Sequence, residues 1–337
     1  MVSIEALARK HIRDILQICL EYLPHQQAMI ISDHQTKLAR ILDHAYLANL
    51  THAKHILFDE TNPEDILKQL EQLKANDLVV LIQSSSFRLN EFRIRVELFK
   101  RKIKVIEHPH LFRMSNDRQI QIYVESLAYD SSYYRGVGLK LKEKIDRASS
   151  AVIDSGGERL TYHSGFEPAK LNIGDYSGMN NIGGQFPIGE VFTEPQDLEA
   201  VHGSVRIFVF GDTGFCVNKP GQPITLVVEK GRVVGAQNST PAFDEVIQKI
   251  VDRDGEVWIR ELGFGMNRSF SSTNLVDDIG TFERVCGVHL SLGTKHTIYK
   301  KPNFKQRDNG FHVDVFPITH QVFLDQELIY HDGHWVV

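Results

Sequence analysis

The chain is poor in cysteine, with three in 337 residues: Cys19, Cys216 and Cys286. An odd number at wide spacing gives neither a disulfide framework nor a CxxC thiolate site for zinc, and a reducing, cytoplasmic compartment fits best. Long apolar runs are missing too. Charged residues interrupt Met1 to Leu23 every few positions, unlike the core of a signal peptide or a membrane span, so no membrane association is expected. Basic charge is not in excess either: the formal net charge is -5, which argues against a nucleic-acid partner. A glycine-rich phosphate loop is also absent. Gly136-Val-Gly138 lies within a helical pattern from Tyr133 to Arg147 and follows no strand, so it lacks the strand–turn–helix setting of a dinucleotide fingerprint. There is no internal repeat and no low-complexity stretch.

What is present is ordinary globular material, 42% hydrophobic and 24% charged, in a chain long enough for two cores. Up to about residue 149, helical and strand-like segments alternate. Helical spacing runs from Ile4 to Leu23, from Thr36 to Leu50, from Pro63 onward and up to Lys100. Apolar strand-like runs cover 28–32, 55–58, 78–82 and 103–107. This alternation predicts a parallel sheet with helices on both faces, a Rossmann-like α/β domain over 1–149. Beyond it, glycine becomes frequent and β-rich runs appear at 158–162, 205–210, 224–229, 257–262 and 288–292, with one main helix at 241–251. A mixed α+β, mostly antiparallel domain is expected over 150–337.

The second half sets acids and histidines in unusual company. Glu190 sits in Gly183-Gly-Gln-Phe-Pro-Ile-Gly-Glu-Val-Phe-Thr-Glu-Pro195, a loop whose glycines let backbone approach a ligand. Glu261 ends the apolar strand Val257-Trp-Ile-Arg-Glu261 and enters a glycine turn, a costly place for a charge that is neither paired nor metal-bound. His289 lies on Cys286-Gly-Val-His-Leu-Ser-Leu-Gly293. In Gly310-Phe-His-Val-Asp-Val-Phe316, strand periodicity puts His312 and Asp314 on one face. Mixed nitrogen and oxygen donors suit zinc, cobalt, manganese or iron rather than calcium. Taken singly, each glutamate reads as an ion-paired loop residue and His289 as a hydrogen-bonded core histidine. The combination of all five predicts a metal site. Three other features have plain readings. His320, His331 and His334 surround an Asp332-Gly333 hairpin turn, Ser84-Ser-Ser86 is a strand-end loop, and Cys286 is a structural thiol.

The ordered segments GEVFTEP, RELGFGMN, GVHLSLG and HVD resemble the thermophilic metallo-aminopeptidases, the aminopeptidase T group, and the resemblance extends more weakly over the N-terminal half. It implies a homodimeric peptidase holding two divalent ions (zinc, cobalt or manganese) on Glu190, Glu261, His289, His312 and Asp314. A small peptide or amino-acyl compound would be the substrate. Glu190 or Glu261 would double as general base. The family places a tyrosine seven residues after the position of His289; here that position is His296 and the nearest tyrosine is Tyr299. His296 is thus the candidate to assist catalysis in its place. A more distant resemblance, to 2,5-dihydroxypyridine dioxygenase, implies an alternative. One Fe(II) would be held by His312, Asp314 and either His289 or His296 as two histidines and a carboxylate. A third reading is a non-catalytic relative that binds a peptide or a partner protein.

Overall fold

The computed structural model describes residues 3–89, 94–295, 298–301, 304 and 310–337. Its contacts divide the chain into two compact units. One comprises Met1–Arg135, Gly174–Ile188 and Asn274–Val276; the other comprises Gly136–Ile173, Gly189–Thr273 and Asp277–Val337.

In the first unit, strands β1 (Ala28–Ser32), β2 (Lys54–Leu57), β3 (Leu78–Ile82) and β4 (Lys104–His108) alternate with helices α1 (Ile4–Asp14), α2 (Lys37–Asn49), α3 (Pro63–Glu71) and α4 (Ile94–Lys100), and α5 (Asp117–Ser126) follows. Helix α1 continues as a wider π turn through Cys19, ahead of Pro24, which cannot extend a helix. Asn62 caps α3 by accepting from the Glu64 amide, and Pro63 takes the first helical position. Every residue of β1 and β3 is buried, as in a parallel sheet covered on both faces. Met29, Ile31, Val79, Leu81 and Val105 share one core with Ile66, Leu70 and Leu98.

Helix α6 (Ser131–Arg147) follows. Its Gly138 faces Ile173, whose Cγ2 would lie 2.6 Å from an added Cβ, so this glycine serves close packing. After β5 (Ala151–Ser155), β6 (Glu158–Tyr162) and β7 (Lys170–Asn172), the chain supplies β8 (Gly183–Gln185), which joins β4 in parallel and completes the order β2-β1-β3-β4-β8. In sequence Gly183 to Pro195 reads as a loop around Glu190, yet both Gly183–Gln185 and Glu190–Thr193 are strands. Gly183, with φ +99°, is what admits β8: an added Cβ there would fall 2.0 Å from the Val105 carbonyl oxygen.

The remaining elements are β9 (Glu190–Thr193), β10 (Val201–Gly211), β11 (Val217–Asn218), β12 (Ile224–Glu229), β13 (Arg232–Gln237), α7 (Pro241–Asp254), β14 (Ile259–Gly265), α8 (Ile279–Phe282), β15 (Gly287–Leu292), β16 (Val313–Pro317), β17 (Gln321–Leu324), β18 (Glu327–His331) and β19 (His334–Trp335). They form one sheet in the order β19-β18-β17-β5-β6-β10-β16-β15-β14-β9-β7, with β11 and β12 also on β10 and β13 on β12. All the pairings in it are antiparallel. The chain therefore comprises an α/β unit with a parallel sheet and a mostly antiparallel α+β unit, as the sequence patterns imply. No described helix is long and apolar enough to cross a membrane.

Candidate metal centre

Four neighbouring strands, β9, β14, β15 and β16, build the candidate site on one face of the antiparallel sheet. Residues directly opposed across antiparallel strands project to the same side. Gly265 opposes Glu190, Gly263 opposes both His289 and Phe192, and Ser291 opposes Asp314. Glu261 precedes Gly263 by two residues at a bulge in the β14–β15 pairing, and its amide donates to Ser291 Oγ at 2.9 Å. Strand β14 thus runs through the expected glycine turn as far as Gly265. The glycines instead create room. A Cβ on Gly263 would sit 2.0 Å from His289 Cε1, and one on Gly265 would sit 1.9 Å from the Val285 carbonyl oxygen. The first lets a whole imidazole lie across β14. The second brings the backbone of Arg284 and Val285 against the strand, where the Asn267 amide donates to the Arg284 carbonyl.

The candidate ligands fall into two adjoining groups. In the first, His289 Nε2 lies 3.2 Å from Glu190 Oε1 and 3.2 Å from Glu261 Oε1. All three residues are buried, and His289 Nδ1 has no hydrogen-bond partner among the described residues. In the second, His312 Nε2 lies 3.0 Å from Asp314 Oδ1, and His312 Nδ1 meets the Lys295 carbonyl oxygen at 3.1 Å. His312 immediately precedes β16, and Glu283, which follows α8, joins this pair. In each group one donor atom per residue lies within 4.8 Å of the others. Arg284 links the two groups: its Nη1 is 2.8 Å from Glu190 Oε2 and donates to Glu283 Oε2 at 2.6 Å. Both groups border a cleft of ≈ 340 Å³, whose lining also includes Phe192, Lys295 and Ile298.

The electrostatics favour added positive charge. Burial works against a charged ring at His289, but hydrogen bonds and charge from Glu190 and Glu261 prevail and raise its pKa well above the usual value. At His312 burial again opposes, yet the carboxylates of Asp314, Glu261 and Glu283 push the value up to about 10. Burial raises the Glu283 carboxyl well above the usual carboxylate range, with repulsion from Asp314 and Glu190 acting in the same direction. Asp314 is lowered: burial disfavours its charge, but His312 outweighs that effect. Among the described residues, four carboxylates thus face the Arg284 guanidinium and two imidazoles, with Lys295 also on the cleft wall. This donor set fits divalent ions of the zinc, cobalt, manganese or iron type, which would release protons from both histidines on binding.

No protein-family model matches the chain, and no curated protein does either. Among solved structures, wild-type AmpT from Thermus thermophilus is similar, with a TM-score of 0.60 over 99% of this chain and 100% of that one, at 14% identity. The chain has an AmpT-like fold. At this identity the likeness concerns the fold alone, and the AmpT comparison assigns no residue a role.

Two residues at the centre escaped the sequence reading. Phe282-Glu-Arg-Val285 carries no local motif, and only the backbone's approach to Gly265 brings Glu283 and Arg284 into the site. His296 lies outside the described residues. The Tyr299 hydroxyl donates to the Pro168 carbonyl at 2.8 Å and so helps hold its own loop. Cys286 is half-buried with Sγ 3.2 Å from the Gly333 carbonyl, and His331 and His334 pair across the β18–β19 hairpin.

Proposed function

We propose that the chain is a metal-dependent hydrolase of the aminopeptidase kind, removing an N-terminal residue from a small peptide or cleaving a related amide. The observation that carries this reading is the pair of adjoining carboxylate–histidine groups on one sheet face beside an open cleft. Glu190, Glu261 and His289 would hold one divalent ion, and Glu283, His312 and Asp314 a second. Such a pair supplies an activated water near neutral pH and polarises a scissile carbonyl.

The protein's own groups do the rest. Glu190, engaged by Arg284 and His289, is held in place as a ligand. Glu283, which Arg284 holds by a hydrogen bond, would stay with the second ion as a ligand. Phe192 and Ile298 give the cleft an apolar wall for a substrate side chain. The Fe(II) dioxygenase alternative needs two histidines and one carboxylate around a single ion. Among the described residues each group has one histidine and two carboxylates, which favours the hydrolase.

Metal content by plasma mass spectrometry, paired with hydrolysis of aminoacyl anilides, tests the reading. Two zinc, cobalt or manganese ions bound through this site are expected, with Glu261→Ala and Asp314→Ala each losing metal and at least ~100-fold in activity. Full activity in either variant overturns the site. Oxygen uptake with a dihydroxylated aromatic would replace the hydrolase by the dioxygenase.

A further inference from the structure

The first unit contains another convergence of histidine and carboxylate. Asp43, in the middle of α2, has a fully buried side chain, with Oδ2 2.6 Å from His34 Nε2 and Oδ1 3.0 Å from His55 Nε2. No lysine or arginine forms an ion pair with it among the described residues. The two imidazoles therefore stand where a buried carboxylate requires a cation. They arrive from separate elements: His55 from β2, and His34 from the turn after β1, in the left-handed conformation at φ 55°. That turn is tightly held. Asp33 accepts from both the amide and the hydroxyl of Ser84 at 2.6 Å, Arg40 donates to the His34 carbonyl at 2.8 Å, and Thr36 caps α2. Ser32 Oγ lies 3.1 Å from His55 Nε2.

We propose that His34, Asp43 and His55 form a separate site for a transition-metal dication such as zinc. Two imidazole nitrogens and one carboxylate oxygen are a zinc-type donor set, and three protein ligands leave a fourth position for water. The donor atoms lie within 4.8 Å of one another. Tetrahedral coordination at ~2.0–2.2 Å separates ligand atoms by roughly 3.3 Å, so an outward turn of the rings opens the space. The rings have that freedom on their solvent side: the His34 and His55 side chains are 33% and 27% exposed, and Asp43 is the fixed anchor between them. The water-facing ring edges also give an ion its route in. The site is independent of the hydrolase reading and uses none of its residues.

Zinc titration by calorimetry on the metal-stripped Glu261→Ala/Asp314→Ala double variant isolates this site from the other. One equivalent is expected there, weakened at least tenfold when His55→Ala is added. Absence of that equivalent, or its persistence unchanged with His55→Ala, overturns the proposal in favour of a purely structural hydrogen-bond cluster. Should the variants fail to fold, the wild-type chain serves with diethylpyrocarbonate labelling and peptide mapping. Zinc should shield His34 and His55 while exposed His44 and His52 continue to react; equal labelling with and without zinc overturns it.

Discussion

Two histidines, His108 in the first unit and His289 in the second, are both wholly buried and yet titrate in opposite directions. His108 lies between two phenols, with Nε2 2.8 Å from the Tyr46 hydroxyl and Nδ1 2.9 Å from the Tyr123 hydroxyl. Neither phenol offers a compensating charge, and burial brings its pKa down to about 3. His289 instead has two carboxylates, both at Nε2, and is shifted upward. Partners, not depth, decide the charge of a buried imidazole. A neutral ring between hydroxyls supports a core, whereas a ring facing carboxylates marks a place suited to cations.

The largest expected effect in breaking this contrast comes from Gly263→Ala. Its methyl would intrude on the His289 ring, and overpacking of this kind costs up to about 3 kcal/mol. Chemical denaturation should show the loss, and metal affinity should fall with it; an unchanged affinity would mean that the ring's seat across β14 is irrelevant. Next is the acid response of His108. Its folded pKa is depressed, so its contribution is complete above the unfolded value near 6.5 and is lost as pH falls toward 3. The slope is about 1.4 kcal/mol per pH unit. Between pH 7 and pH 5 the wild type should lose roughly 2 kcal/mol more than His108→Gln, which keeps polar atoms for both phenols but does not titrate. Equal slopes would show that the ring is not held neutral. The smallest effect belongs to Asn62→Ala at the exposed start of α3. Loss of the cap should cost about 1 kcal/mol without changing either histidine's titration by NMR.

The parallel sheet was readable because doubly covered strands are nearly continuous apolar runs, and Ala28–Ser32 and Leu78–Ile82 fall where those runs do. The antiparallel sheet showed some of its strands in sequence, but not β9, which lies in a glycine-rich segment, nor the strand order, because partners such as β10 and β16 are about a hundred residues apart. Glu190, Glu261, His289, His312 and Asp314 stood out because each interrupts or ends an apolar segment. Glu283 and Arg284 did not, because their place depends on one backbone segment lying against Gly265. The two glycines of Gly263-Phe-Gly265 read locally as a turn, while their actual use is to leave space for His289 and Val285, which no local pattern announces. The His34, Asp43 and His55 grouping was invisible for a similar reason: a turn, a helix and a strand each contribute one residue.

The late arrival of β8 has a consequence for vectorial synthesis. Strand β4 is complete once His108 has been made, but its outer neighbour, Gly183–Gln185, comes 77 residues later. At roughly 5–20 residues per second, the nascent chain spends roughly 4–15 s with one flank of β4 unpaired. Such an apolar edge is a template for stray strands, so this is the interval in which a ribosome-associated chaperone would matter most.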